Sequence, residues 1–194
     1  MPAATQLAID EVREVLQRFQ DGYTRRDLTA VDEFMELFAA LPELEVIGTN
    51  GIRPGVDEWH LGRAGARELV AGDWEGWGDV RLDVEGANIH VLGEVAWLAT
   101  PATVTMDIPK EANIRSYLGR VQEMIAKAER PPEELLHDIL RGGSNTLYEQ
   151  SRGEHFVWPL RFTAVLVRDE GEWKFHQMNF SFPTTRFPDE RIVT

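Results

Sequence analysis

The group best suited to chemistry in this chain is Asp73, set in the phrase Gly72-Asp73-Trp74-Glu75-Gly76-Trp77. A carboxylate lodged among indoles loses hydration, so its pKa rises and it becomes able to act as a general base near neutral pH. An Asp followed by Trp near a helix end also serves as a turn or cap residue, and both readings stand at this point. A second set lies on the strand-length run Trp173 to Pro183. Alternation places Trp173, Phe175, Gln177, Asn179 and Ser181 on one face, and Lys174, His176, Met178, Phe180 and Phe182 on the other. The first face reads as a pocket wall. Its amides, Gln177 and Asn179, would hydrogen-bond a ligand's carbonyl or hydroxyl, or else satisfy each other and nearby backbone. The second face reads as a surface that needs a covering layer or another subunit.

Other candidates are weaker in pattern. Arg161 shares strand parity with Thr163 and Val165, which makes it a cation for a ligand carboxylate or the partner of an internal ion pair. Trp59, Trp97 and Tyr117 would stack on a planar ligand or simply fill the core. His176 is the obvious proton-transfer residue, yet by parity it belongs with Lys174, Met178 and Phe180. His60, His90, His137 and His155 have no metal-ligand spacing, so no metal is expected. The chain lacks a P-loop, a dinucleotide-binding glycine motif and a nucleophile elbow, and no cofactor is expected.

These residues must be positioned by a chain of 194 residues, 43% of them hydrophobic, which is the size of one domain with a substantial core. Asp and Glu number 33 against 20 Lys and Arg, and the net charge of −13 disfavours nucleic acid and anionic membranes as partners. Cysteine is absent, which excludes disulfides and thiolate chemistry. With no basic-then-apolar leader at Met1 and no apolar run near the roughly 20 residues that cross a bilayer, a cytoplasmic protein is expected.

Ile9, Val12, Leu16, Phe19 and Tyr23 mark a helix expected to stop near Asp21-Gly22, and Leu28 to Phe38 a second one capped by Asp27 or Thr29. A strand at 44–49, turn chemistry over 50–57 and a third helix ending near Gly72 or Gly76 follow. Strands then dominate, with an interruption expected at Pro101. Residues 109–150 break this rhythm with two helical stripes, Ile114 to Ala128 and Leu135 to Leu140, the second expected to close at Gly142-Gly143. They read as an inserted helical hairpin, a lid or a dimer-contacting arm.

The phrases Glu58-Trp59-His60-Leu61-Gly62-Arg63, Val95-Ala96-Trp97-Leu98, and Arg161 to Leu166 with Trp173-Lys174-Phe175, in that order, resemble the SnoaL-like branch of the nuclear transport factor 2-like superfamily. The resemblance implies an α+β fold in which a strongly curved antiparallel sheet wraps N-terminal helices into a cone. It also implies a cavity between sheet and helices and a dimer across the sheet's other side. That fold hosts isomerases, cyclases, dehydratases, epoxide hydrolases and members without known activity, so fold alone assigns no reaction. Many relatives carry two histidines before a serine on the last strand. Here the matching positions are Gln177 and Asn179 before Ser181, and amides cannot transfer protons.

The expectation is therefore one NTF2-like domain over residues 1–194, with the insertion at 109–150. Its apolar cavity would hold a small apolar or aromatic molecule contacted by Trp59, Trp97, Tyr117, Arg161, Thr163, Gln177 and Asn179. A homodimer would form through the face with His176, Met178, Phe180 and Phe182. Binding without assigned activity leads. An isomerase, cyclase or dehydratase using Asp73 as general base, and a pure association module, stand as alternatives.

Overall fold

The first helix, α1 (Ala3–Arg25), buries Ile9, Val12, Leu16, Phe19 and Tyr23 along one stripe, as a spacing of three and four residues requires. The computed structural model describes residues 3–49, 51, 53–55, 58–127 and 131–182. Ala128, Pro183, Asn50 and part of the 50–57 loop lie outside the described residues. α1 does not stop at Gly22. The ring of Phe34 lies so close that a Cβ on Gly22 would meet it at 2.3 Å, so this glycine serves a close approach rather than a helix end. The helix ends at Arg25, and Arg26 takes a positive φ of 50°.

The second helical segment is a short α2 (Val31–Phe34) flanked by 3-10 turns over Leu28–Ala30 and Met35–Leu37. Asp27 is its cap, accepting from the Thr29 amide at 2.9 Å and the Thr29 hydroxyl at 2.7 Å. After strands β1 (Glu45–Ile47) and β2 (Trp59–Leu61) comes α3 (Gly62–Gly76), then β3 (Asp79–Leu82), β4 (Asn88–Leu92) and β5 (Val95–Asp107). Helices α4 (Lys110–Lys127) and α5 (Pro132–Ser151) precede the long strands β6 (His155–Asp169) and β7 (Glu172–Ser181).

The architecture is α+β, with one sheet in the order β2-β1-β7-β6-β5-β3 and β4 paired to β5. The β1–β7 pair is parallel, whereas β1–β2, β4–β5 and β6–β7 are antiparallel. The edge of β3 is covered from α1. Buried Gln20 donates to the Val80 carbonyl and accepts from the Leu82 amide, which supplies the pairing an open edge would lack. β5 runs unbroken through Pro101, because Pro101 falls just past residues 95–99, where the pairing with β4 ends.

The chain divides into two compact units. The first comprises residues 1–104 and 158–183, and its core is aromatic: Phe19 meets Phe162 at 5.1 Å and Phe175 at 5.2 Å between ring centres, and Phe162 meets Phe180 at 4.9 Å. The second is centred on α4 and α5, within residues 105–157. α5 continues through Gly142-Gly143 to Ser151 because the ring of Tyr117 rests there, and a Cβ on Gly142 would come within 2.8 Å of it. The Glu154 carboxylate accepts from the Lys110 amide at 2.7 Å and so caps α4. Among the described residues no helix is long and apolar enough to cross a membrane.

The hairpin of β6 and β7 turns through Glu170 and Gly171, both at positive φ, which matches the twist of the strands it joins. Partway along β7 the register slips. Val165 pairs with Gln177 but Leu166 pairs with Phe175, so His176 is the extra residue of a β-bulge. The alternation expected over 173–181 is therefore overturned. Trp173 and Phe175 face the core, and beyond the bulge so do Met178 and Phe180, at 0% and 1% exposure. Gln177 and Asn179 turn to the opposite face.

Candidate functional site

One helix step on α3 separates anchoring from chemistry. Trp74 is buried against Phe34, ring centres 4.8 Å apart, which orients α3 so that Asp73 looks out beside it. The C-terminal end of α3 is held by Arg26, whose guanidinium donates to the carbonyls of Asp73 at 2.7 Å, Trp74 at 3.1 Å, and Trp77. The Asp73 carbonyl also accepts from the Trp77 amide at 2.9 Å, whereas those of Trp74 and Trp77 lie where a helix end leaves carbonyls without intrahelical donors, and a cation there also suits the helix dipole. Arg26 is thus a structural clamp between α1 and α3.

Asp73 faces a cleft of about 470 Å3 bordered by β1, β2, α3 and the end of β7. Its polar lining is Thr49, Glu58, His60, Glu68 and Asp73, and its apolar wall includes Leu69, Trp77 and Phe180. Trp77 and Phe180 meet edge to face, with ring centres 5.3 Å apart. His60 reaches the cleft because it pairs with core-facing Val46 across β1–β2, whereas its neighbour Trp59 pairs with Ile47 on the other face. Gly72 and Gly76 also line the cleft, and a Cβ at either would meet open space.

The carboxyl of Asp73 is fixed by buried Tyr23, whose hydroxyl donates to Oδ2 at 2.8 Å. Oδ1 has no hydrogen-bond partner among the described residues. Burial pushes the Asp73 pKa up to about 7; the Tyr23 hydrogen bond and the Arg26 charge pull it down, and the nearby Glu58 carboxylate pushes it up. Tyr23 is held well above its ordinary range by burial and by the adjoining carboxylate, so it stays a hydrogen-bond donor. This arrangement holds a carboxyl poised between its two protonation states near neutrality, with one oxygen anchored and the other available.

The other expected site residues are elsewhere. Arg161, Thr163, Gln177, Asn179 and Trp97 lie on the sheet face opposite the aromatic core, together with Trp59. Trp97 is 44% exposed and stacks on His90 at 5.4 Å. Gln177 donates to Glu45 at 2.8 Å, and Arg161 to the Phe182 carbonyl at 3.1 Å. A depression of about 380 Å3 on this face is lined by Trp97, Thr163 and Gln177. Tyr117 belongs to the second unit, where its hydroxyl donates to the Ile139 carbonyl. Met178 and Phe180, expected to meet a second subunit, are spent on the chain's own core. The expected apolar cavity with amide walls is replaced by a cleft rich in carboxylates. Residues missed from the sequence are Tyr23, Glu58, His60, Glu68 and Trp77. Tyr23 read only as a core position of α1; the Glu58/His60 alternation around Trp59 was the one signal that could have placed a polar pair beside Asp73.

Residues 12–121 match the profile of the SnoaL-like domain. The chain belongs to the SnoaL-like domain family. Solved structures similar to this SnoaL-like protein include an NTF2-like superfamily protein from Salmonella enterica serovar Typhimurium, with 15% identity, a TM-score of 0.57, and 95% of this chain and 98% of that one covered. An NTF2-like protein of unknown function from Pseudomonas putida has 12% identity and a TM-score of 0.55, with 97% and 95% covered. A provisionally assigned dehydratase of the NTF2-like family from Streptomyces avermitilis has 12% identity and a TM-score of 0.54, with 93% and 99% covered. At these identities the likeness establishes the NTF2-like fold of the SnoaL-like chain. No curated protein matches it. Among the described residues, no cluster of three or more metal-ligating side chains is present.

Proposed function

We propose that this protein is an acid–base enzyme of the isomerase, cyclase or dehydratase kind, acting on a small uncharged or cationic carbonyl compound with Asp73 as general base. The observation that carries this reading is the Asp73 carboxyl at the cleft, anchored through Oδ2 to Tyr23 and with a pKa of about 7. Such a group is half ionised at neutral pH, where it can both take and return a proton.

In the first step Oδ1 of Asp73 removes a proton from the carbon next to a carbonyl, and the electron pair of the C–H bond moves onto the carbonyl oxygen as an enolate. His60 donates a hydrogen bond to that oxygen from the β2 side of the cleft. Return of the proton to a different carbon completes an isomerisation. Loss of a β-hydroxyl, protonated by the Asp73 carboxylic acid as it leaves as water, completes a dehydration. Trp77 and Phe180, meeting edge to face, supply an apolar corner for the carbon skeleton. Glu58 and Glu68 repel carboxylates and phosphates, which sets the charge of the substrate.

The test is exchange of carbon-bound protons for solvent deuterium in a panel of uncharged cyclic ketones, followed by mass spectrometry. Wild type is expected to accelerate exchange with a rate that rises through pH 7, and Asp73→Asn to lose the acceleration. Equal exchange by the two proteins would remove Asp73 from the chemistry and leave a binding site.

A further inference from the structure

The helix pair of the second unit carries a pattern that the cleft does not use. α4 places Ile114, Leu118, Val121 and Ile125 at steps of four, three and four residues, and α5 repeats the steps with Leu136, Leu140, Gly143 and Leu147. This is the spacing of a coiled-coil seam, which turns one stripe of a helix toward a neighbouring helix along its length. Apart from Gly143, where a Cβ would lie 3.5 Å from the Tyr117 ring, the pair does not consume these seams internally. Tyr117 points from α4 into α5, onto Gly142 and the Ile139 carbonyl, while the buried positions of α5 are Thr146 and Gln150. Leu118, Ile125, Leu136, Leu140 and Leu147 are each between 54% and 63% exposed.

Helical geometry places both seams on one side. At about 100° per residue, the α4 seam is centred roughly 70° from Tyr117, and the α5 seam roughly 70° from the line through Ile139, Thr146 and Gln150, each in the same rotational sense along its own chain. Tyr117 lies ten residues before the end of α4, and Gly142 ten residues after the start of α5, so the helices run antiparallel. Equal rotations on antiparallel neighbours bring the stripes to a common face. Such a face is what one half of a four-helix bundle presents to the other half.

We propose that it is a self-association surface, on which two copies of this chain pack hairpin against hairpin. Three features commit it to a second copy. The face is self-complementary under a twofold axis, since each seam finds a seam. Five leucine and isoleucine side chains at these exposures, with their flanks, present several hundred Å2 of apolar surface, the order of the ~800 Å2 per partner in a stable interface. α4 has four basic residues against two acidic, and α5 has one against four, so α4 seated over α5 of the second copy joins opposite charges in a chain that otherwise repels itself at −13.

Sedimentation of the full chain tests this at about 100 µM, a concentration that populates even a micromolar dimer. Wild type should sediment as a dimer, and Leu118→Glu combined with Leu140→Glu should weaken association at least ~100-fold while leaving the circular dichroism unchanged, because both positions are solvated in the single chain. The chain has no cysteine, so an equal mixture of Leu118→Cys and Leu140→Cys proteins should form a mixed disulfide dimer on oxidation, a readout that does not depend on destabilising anything. A monomeric wild type, an unchanged mass in the seam variant, a mass that falls only when Trp97 on the outer sheet face is replaced, or failure of the mixture to cross-link would each overturn the proposal.

Discussion

Replacing Asp73 with Asn should stabilise this protein, and do so only above a definite pH. The Asp73 carboxyl titrates from an ordinary 3.8 in the unfolded chain to about 7 in the folded one. Between these values the native state binds more protons than the unfolded state, so stability falls as pH rises through the window and is lowest once Asp73 ionises. Three units correspond to a ceiling of about 4 kcal/mol at 1.36 kcal/mol each, and water reaching a carboxylate at a cleft trims this to roughly 2–3 kcal/mol. An Asn at 73 keeps an oxygen for the Tyr23 hydroxyl and never carries the charge. Wild type and Asp73→Asn should therefore unfold in urea at similar concentrations at pH 4, whereas at pH 8.5 the variant should be the more stable by about 2–3 kcal/mol. For a chain of this size that difference is on the order of 5–10 °C in Tm. A gap between the two proteins that is the same at both pH values would refute the assignment of a raised pKa, and a variant less stable at pH 8.5 would refute the account of what Asp73 costs the fold.

Tyr23→Phe removes the hydrogen bond that holds the Asp73 pKa down, so the carboxyl should titrate at higher pH, while Glu58→Gln removes a repelling charge and should move it lower; carbon-13 NMR of the labelled carboxyl reads both. Arg26→Met leaves the Trp74 and Trp77 carbonyls at the end of α3 without their side-chain donor, while the Asp73 carbonyl keeps the Trp77 amide, and should cost about 1–3 kcal/mol in urea unfolding. Gly72→Ala adds a methyl into open space inside a helix and should raise stability by about 0.5–1 kcal/mol.

Much of the frame was legible because local and global preferences agree. The α1 stripe, the strand-length run that becomes β7, and the two helical stripes after 109 all follow from periodicity. The failures share a cause. Glycine announces a helix end in sequence, but Gly22 and Gly142 sit within helices because the rings of Phe34 and Tyr117, distant in sequence, press on them. At β7 a single inserted residue, His176, leaves no trace in composition yet moves Gln177 and Asn179 to the face opposite the aromatic core. Asp73 was recognisable from its indole neighbours, but the two indoles divide the work. Trp74 fills the core and Trp77 lines the cleft. Tyr23 went unseen because a buried hydroxyl on an apolar stripe has no signature until its partner on another helix is known.

The two bare positions on α3, Gly72 and Gly76, give the molecule an adjustable chamber. Neither supports the interior, so side chains of graded bulk placed there would resize the space in front of the carboxylate as a sleeve narrows a bore, while Trp74 and the Arg26 clamp keep the helix where it is. The size of molecule that the cleft admits can thus be retuned at two sites without spending the stability that holds Asp73 in place.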